Sequence, residues 1–153
     1  YGGHAQAAGL EVPTEKLEEF RERFNDVSRE QFAEDMEEPS LEIDAVLERD
    51  EFSWQTHEGI KAMEPFGQDN PEPILCLRGV RNAGQPKIVG QNHLKLFLDF
   101  NGTKFGAIGF RLGEMLPLCD GNGEIDVCGK MNINEWQGRK KLEFVVEDLR
   151  PGS

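Results

Sequence analysis

The sequence predicts an α+β protein in which amphipathic helical segments precede a small β domain, and three observations support this. Apolar residues recur every three to five positions across residues 14–36, as one face of a helix requires. From residue 74 onward the period changes to two, which is typical of strands with one buried face. Between these regions, residues 64–73 hold three prolines and a glycine, which indicates an ordered connector or turn.

The first half of the chain contains two helical segments with a short extended piece between them. The first helix begins near Pro13 and Thr14 and ends before Pro39. A β-like piece follows at residues 41–47, and a second helical stretch is predicted over residues 53–63. The predicted parts of the chain are residues 1–39, a strand-helix connector over 40–73 that ends in the proline-rich turn, and a β domain over 74–151.

The β domain reads as five short strands with a small helix or turn after the third. The long second strand is expected to break at Gly90. This order matches the OB-fold, a five-stranded, partly open barrel whose face and first and fourth loops bind single-stranded oligonucleotides. Another small barrel remains an alternative. The predicted strands lie near residues 74–81, 87–100, 103–110, 124–134 and 139–149, with the helical insert at 111–119.

Alternation separates the two faces of this domain. In the segment HLKLFLDF, Lys95, Phe97 and Asp99 lie opposite the apolar positions. An aromatic beside a lysine on an outer face suits base stacking and phosphate attraction. Alternatively, Phe97 packs beneath a neighbouring loop or helix. The residues predicted to face inward are Leu94, Leu96, Leu98, Phe100, Ile125, Val127, Met131, Ile133, Leu142, Phe144 and Val146, whereas Lys130 is predicted to face outward.

The densest basic cluster of the sequence lies in the turn between the last two strands, residues 134–141. It places Trp136 next to Arg139, Lys140 and Lys141. Aromatic and cationic side chains together suit single-stranded nucleic acid, because bases stack on the ring and basic groups release counterions. The alternative is a solubilising hairpin with Trp136 folded back over it. Further candidates for binding single-stranded DNA are Arg81 and Lys87 in the first loop, together with Lys95, Phe97 and Lys130.

The charge of the chain is unevenly distributed. Its formal net charge is −12, but residues 74–153 hold 11 basic and 9 acidic side chains. All the excess acid lies in residues 1–73, so the acidity of the whole chain does not exclude a nucleic-acid ligand.

Composition describes an ordinary chain of one domain, or of one domain and part of another. It has 153 residues, of which 37% are hydrophobic and 30% charged. No apolar run approaches the roughly 20 residues that cross a bilayer, and no signal peptide is recognisable, so a cytoplasmic monomer is expected.

Cys76, Cys119 and Cys128 are predicted to be reduced and mostly buried. The histidines are too scattered for a metal site, so no metal or cofactor is expected in this chain.

The ordered set of motifs resembles one known family. GGHAQAAG at residues 2–9 resembles the glycine-rich signature of the DHHA1 domain. An amphipathic helix, MEPFGQDNPEP, HLKLFLDF and a terminal VEDLRP follow in order. Together they resemble the carboxy-terminal part of the RecJ family of bacterial single-stranded-DNA-specific 5′→3′ exonucleases, over essentially the full chain. Residues 1–39 would then end a DHHA1 domain, and 74–151 would form an OB domain.

The resemblance implies a role in DNA recombination and repair. In the family, an amino-terminal Asp-His-His domain holds two Mn²⁺ or Mg²⁺ ions that activate water. Those motifs are absent, so the chain is expected to be an inactive fragment without catalytic residues that guides single-stranded DNA. The alternative is an interaction module that docks partners such as the tail of the single-stranded-DNA-binding protein. Phosphate contacts are implied for Gly2, Gly3, His4, Ala8 and Gly9, unless residues 1–10 are disordered or packed non-natively.

Overall fold

The computed structural model describes residues 2–4, 7–32, 40–121 and 123–152, without the side chains of His4 and Trp136. The chain divides into two compact units, Tyr1–Ser40 and Leu41–Ser153. Within the described residues, no helix combines the length and the apolar character that a membrane span requires.

The first unit contains a small hairpin and one helix. Strands β1 (Gly2–His4) and β2 (Ala7–Gly9) pair antiparallel. The described residues of the glycine-rich segment therefore form a hairpin. Helix α1 (Leu17–Phe32) follows a 3-10 turn over Thr14–Lys16. This confirms the predicted helix over residues 14–32, whereas residues 33–39, with the predicted stop at Pro39, lie outside the described part.

The second unit contains the five predicted strands of the β domain, whereas only Ala45–Val46 of the β-like piece predicted at residues 41–47 form a strand. The break at Gly90 is confirmed, and the φ of 59° at this residue explains why a glycine stands there. The helical insert is also present, as a 3-10 turn followed by a short helix. The elements are β3 (Ala45–Val46), α2 (Trp54–Lys61), β4 (Leu75–Asn82), β5 (Lys87–Val89), β6 (His93–Phe100), β7 (Thr103–Gly109), α3 (Leu116–Cys119), β8 (Ile125–Trp136) and β9 (Arg139–Pro151).

The strands of the second unit form one sheet of seven strands, in the order β3-β4-β8-β9-β7-β6-β5. An additional pairing joins β4 to β6, through Arg81 opposite Asp99 and Asn82 opposite Leu98. Strands β4, β8, β9, β7 and β6 are thus connected in a ring of pairings. The parallel contacts are β3 with β4 and β7 with β9, whereas the other pairings are antiparallel.

The core lies on the face that alternation predicts. Every inward residue predicted for β6 is buried, and Phe144 of β9 is completely buried. Strand β9 contains a bulge, because Cys128 lies opposite Asp148 and the next residue, Gly129, lies opposite Val146. Glu147 is therefore an extra residue, which lets Leu149 face the core three positions after Val146. The remaining inward predictions are confirmed as buried (Ile125, Val127, Met131, Val146) or half-buried (Ile133, Leu142).

Helix α2 is attached to the sheet by the residues just before it. The side chain of Phe52 is buried and stacks on Phe105, with ring centroids 4.0 Å apart. Ser53 caps the helix, since its hydroxyl accepts a hydrogen bond from the backbone N–H of Thr56 at 3.2 Å. These two contacts fix the direction in which Trp54, the first helical residue, leaves the sheet.

Candidate nucleic-acid interface

An open groove of about 800 Å³ lies on the outer face of the sheet in the second unit. Strands β6, β7 and β9 form its floor, and the β8–β9 hairpin forms one wall. A second wall comes from residues 52–54, at the start of α2. Because outward side chains alternate with core residues along each strand, the packing of the core fixes which side chains enter the groove.

The floor of the groove holds a buried carboxylate with two partners. Glu143 is 8% exposed, and its Oε1 accepts a charge-assisted hydrogen bond from Lys95 Nζ. Its Oε2 accepts from Asn134 Nδ2 at 3.3 Å. A buried charge is costly unless it is paired, so Lys95 is committed to Glu143 rather than to a ligand.

The rim of the groove is basic. Lys104, Arg139, Lys140 and Lys141 line it, and all four are exposed. Lys140 lies 3.8 Å from Glu135, an exposed ion pair of the kind that contributes little. Within the described part of the chain, the other three make no ion pair. The rim therefore carries positive charge that is available to an anionic ligand.

Two exposed aromatic side chains also line the groove. Phe97 is 44% exposed on the floor, and Trp54 is 45% exposed on the wall. The first loop lies against one side of Phe97. The backbone carbonyl of Phe97 accepts a hydrogen bond from the N–H of Ala83. Its side chain adjoins Gly84, where an added Cβ would lie 3.2 Å from the Phe97 Cβ. Phe97 therefore both packs against the first loop and offers part of its ring to the groove.

The structure brings together five of the nine predicted DNA-binding residues and separates three others. Arg81 is held by Glu124, with 2.7 Å between Nη2 and Oε1. Lys130 lies 3.4 Å from Glu72 and 4.0 Å from Glu147. Lys87 lies opposite Lys95 in the β5–β6 register but does not line the groove. The side chain of Trp136 lies outside the described part. The residues that share the groove are Lys95, Phe97, Arg139, Lys140 and Lys141.

The glycine-rich candidates lie in the first unit. Gly2 pairs with Gly9 at the open end of the β1–β2 hairpin, and Gly3, Ala8 and Gly9 are exposed. The side chain of His4 lies outside the described part, so the structure says nothing of a phosphate contact by His4.

Sequence reasoning missed three groove residues. Lys104 could have been found, because it alternates with the buried Phe105 and so faces outward with Lys95 and Phe97. Alternation also places Glu143 outward, but not its pairing with a lysine 48 residues away. Trp54 had no sequence signal, since a helix start does not say which surface it adjoins.

The residues that the structure describes do not fit a metal centre. They contain no group of three or more His, Cys, Asp or Glu side chains that could hold an ion. A pair of divalent cations needs several such ligands, so no catalytic step through a metal can be assigned to these residues.

Comparison with known proteins decides the family. The profile described as RecJ OB domain matches residues 43–148.

The chain belongs to the RecJ OB domain family.

The match confirms the resemblance to RecJ predicted from the motifs, and it includes both walls and the floor of the groove. The chain is 28% identical to the single-stranded-DNA-specific exonuclease RecJ of Bacillus subtilis, over 97% of this chain and 19% of that protein. It is 29% identical to the protein of the same name from Salmonella typhimurium, over 99% of this chain and 26% of that protein. The chain thus spans about a fifth to a quarter of these RecJ relatives.

Solved structures of RecJ share the fold. The crystal structure of RecJ in complex with Mn²⁺ from Thermus thermophilus aligns with a TM-score of 0.61 and 24% identity, over 97% of this chain and 21% of that one. The complex of that RecJ with Mg²⁺ aligns with a TM-score of 0.52 and 22% identity, over 91% and 21%. At this level of identity, the likeness concerns the fold.

Proposed function

We propose that the groove binds single-stranded DNA and guides it to a catalytic Asp-His-His domain elsewhere in a metal-dependent 5′→3′ exonuclease of DNA recombination and repair. The observation that carries this proposal is the combination, in one groove, of a basic rim with two exposed aromatic side chains. Single-stranded nucleic acid is bound by such a combination, because phosphates follow the cations while bases stack on the rings.

The charges of the groove indicate how a bound strand would be oriented, with its phosphates on one side and its bases on the other. The rim cations attract phosphates, whereas the buried Glu143 on the floor is already neutralised by Lys95 and adds no attraction. Phosphates therefore follow Arg139, Lys140 and Lys104, and bases turn towards Phe97 and Trp54. The five strands connected in a ring would form the closed OB barrel that presents this face.

Stacking on Phe97 leads to a first prediction. Phe97→Ala should weaken binding of a fluorescein-labelled oligothymidylate by roughly 5- to 150-fold, because stacking contributes about 1–3 kcal/mol per base. The slope of affinity against salt should change little, since stacking releases few ions. The measurement is fluorescence anisotropy at several salt concentrations.

Phe110 offers a matched control for this variant. It is 56% exposed, lies outside the groove and contacts His93 edge-on at 5.2 Å between ring centroids. Phe110→Ala should bind DNA as the unchanged chain does. Equal losses in the two variants would argue against a stacking role for Phe97.

The missing ligand set leads to a second prediction. We expect this chain alone to leave 5′-labelled single-stranded DNA intact in the presence of Mn²⁺, because its described residues supply no set of metal ligands. Gel analysis of the labelled strand is the measurement, with the RecJ of Bacillus subtilis as a positive control. Release of labelled nucleotide by an activity that follows the chain through successive columns would contradict this part of the proposal.

A second candidate function rests on the same basic hairpin. Arg139, Lys140 and Lys141 also suit an acidic peptide such as the tail of the single-stranded-DNA-binding protein. A competition experiment separates the two functions. If an acidic peptide does not displace a bound oligonucleotide, the result favours DNA as the ligand of the groove. The same proposal includes two points about the full-length protein. The β1–β2 hairpin contacts a phosphate, and the catalytic domain uses Mn²⁺ or Mg²⁺.

A further inference from the structure

Cys76 and Cys128 lie directly opposite one another on neighbouring strands. They are register partners in the antiparallel pairing of β4 with β8. Both cysteines are free, and the nearby thiol of Cys76 helps to raise the pKa of Cys128. Side chains of residues that are directly opposite in an antiparallel pair project from the same face of the sheet, so the two sulfur atoms are neighbours.

The hydrogen bonds around Cys76 show which kind of pair this is. The carbonyl of Cys76 accepts from the N–H of Leu47 at 2.9 Å, on the side of β3. The N–H and C=O of one strand residue point to the same side, so neither backbone group of Cys76 points at β8. The two cysteines therefore form a non-hydrogen-bonded pair, in which the Cα atoms of opposite residues are about 4.5 Å apart. A disulfide needs Cα atoms roughly 4.4–6.8 Å apart, so the pair is within bonding range.

The pair lies apart from the main core of the unit. Leu75, Leu77 and Val127 belong to the core cluster, whereas the alternate positions Cys76 and Cys128 do not. Cys76 is only 2% exposed, whereas Cys128 is half-buried and is the more accessible of the two. The pair therefore consists of one partly accessible cysteine, Cys128, and one buried cysteine, Cys76, beside it.

We propose that Cys76 and Cys128 form a reversible cross-strand disulfide when the protein meets a peroxide. The thiolate of Cys128 attacks one peroxide oxygen, the O–O bond breaks, and Cys128 becomes a sulfenic acid while hydroxide leaves and takes up a proton. The sulfur of Cys76 then attacks the sulfur of Cys128, and the second oxygen leaves as water with the proton of Cys76. Two thiols are oxidised, and one hydrogen peroxide is reduced to two water molecules.

The surroundings of Cys128 make this reaction slow at neutral pH. Burial, the hydrogen bond and charge of Cys76, and the charge of Asp148 raise the pKa of Cys128 to about 12, although Arg150 lowers it. The thiolate is the reactive form, and its fraction rises tenfold per pH unit below the pKa. Cross-linking should therefore be about 100-fold faster at pH 9 than at pH 7. The disulfide would form under sustained oxidation rather than as a rapid response.

Peptide mapping of the whole chain tests the proposal. The folded chain is treated with hydrogen peroxide at pH 9, remaining thiols are alkylated, and the protein is digested without reduction. We expect a cross-linked peptide containing Cys76 and Cys128, with a mass about 2 Da below the sum of the two thiol peptides. Cys119 should be alkylated, and dithiothreitol should reverse the cross-link fully. A disulfide that includes Cys119, or oxidation of Cys128 to the sulfinic acid without a cross-link, would overturn the proposal.

Cys119 supplies the matched control, because it is buried in the core and is not a register partner of either cysteine. Cys119→Ala should retain the cross-link, and Cys128→Ser should lose it. The same treatment in concentrated urea should give mixed pairings, since only the folded sheet aligns the two thiols. Cross-linking of Cys76 to Cys119 in the folded Cys128→Ser variant would count against the proposal. Should a variant fail to fold, the peptide map of the unchanged chain still decides.

Discussion

Replacing Arg139, Lys140 and Lys141 together with alanine is expected to weaken the binding of single-stranded DNA about tenfold or more at low salt. The three side chains form the basic wall of the groove, and only Lys140 has an ion-pair partner among the described residues. Each phosphate contact on a single strand contributes roughly 0.7 to the slope of log affinity against log salt concentration, so the slope should flatten by up to about 2. Fluorescence anisotropy of a labelled oligonucleotide across a salt titration measures both quantities.

Three arginines of α1 provide a control with the same change in net charge. Arg21, Arg23 and Arg29 are exposed residues of the first unit, and Arg21 and Arg29 pair weakly with acidic neighbours on their own helix. Their joint replacement by alanine should leave affinity and salt slope nearly unchanged. Equal losses in both triple variants would mean that net charge, and not the hairpin, governs binding. A hairpin variant that folds by circular dichroism and binds normally would favour the protein-docking alternative.

Gly129→Ala is expected to cost at least about 3 kcal/mol of the free energy of unfolding of the second unit. A Cβ at this position would lie 2.0 Å from the carbonyl oxygen of Val145 and 3.0 Å from the Cα of Val146. These are backbone atoms of β9 beside the bulge, so they can give way only if β8 and β9 separate. Because β9 also pairs with β7, this separation would disturb the floor of the groove. Urea denaturation followed by circular dichroism measures the loss.

Gly59→Ala is the matched control for Gly129→Ala. Nothing lies within 4 Å of a Cβ at Gly59, which is an exposed residue of α2. Alanine is favoured over glycine within a helix by about 0.8–1 kcal/mol, so this variant should be as stable as the unchanged chain or more stable. If the free energy of unfolding of Gly129→Ala lies within about 1 kcal/mol of that of the unchanged chain, the close approach of β8 and β9 is not required in solution.

The sequence by itself determined the elements of the second unit and the direction of most of their side chains. The inward set of β6 and the outward position of Phe97 follow from a period of two, which is a local property of an extended chain. The break at Gly90 was equally predictable, because a positive φ favours glycine wherever it occurs. These features depend on neighbours within a few residues, which are visible in the sequence.

Only the tertiary structure decided which cations are available to a ligand. Arg81 and Lys95 are both basic residues predicted to bind DNA, but Arg81 is held by Glu124, 43 residues away, and Lys95 by Glu143, 48 residues away. Likewise, Trp54 enters the groove because Phe52 fixes the start of α2 against Phe105. Alternation assigns a side chain to a face but does not specify its partners. Partners are set by how distant strands come together, through registers and bulges that maximise burial of the whole core.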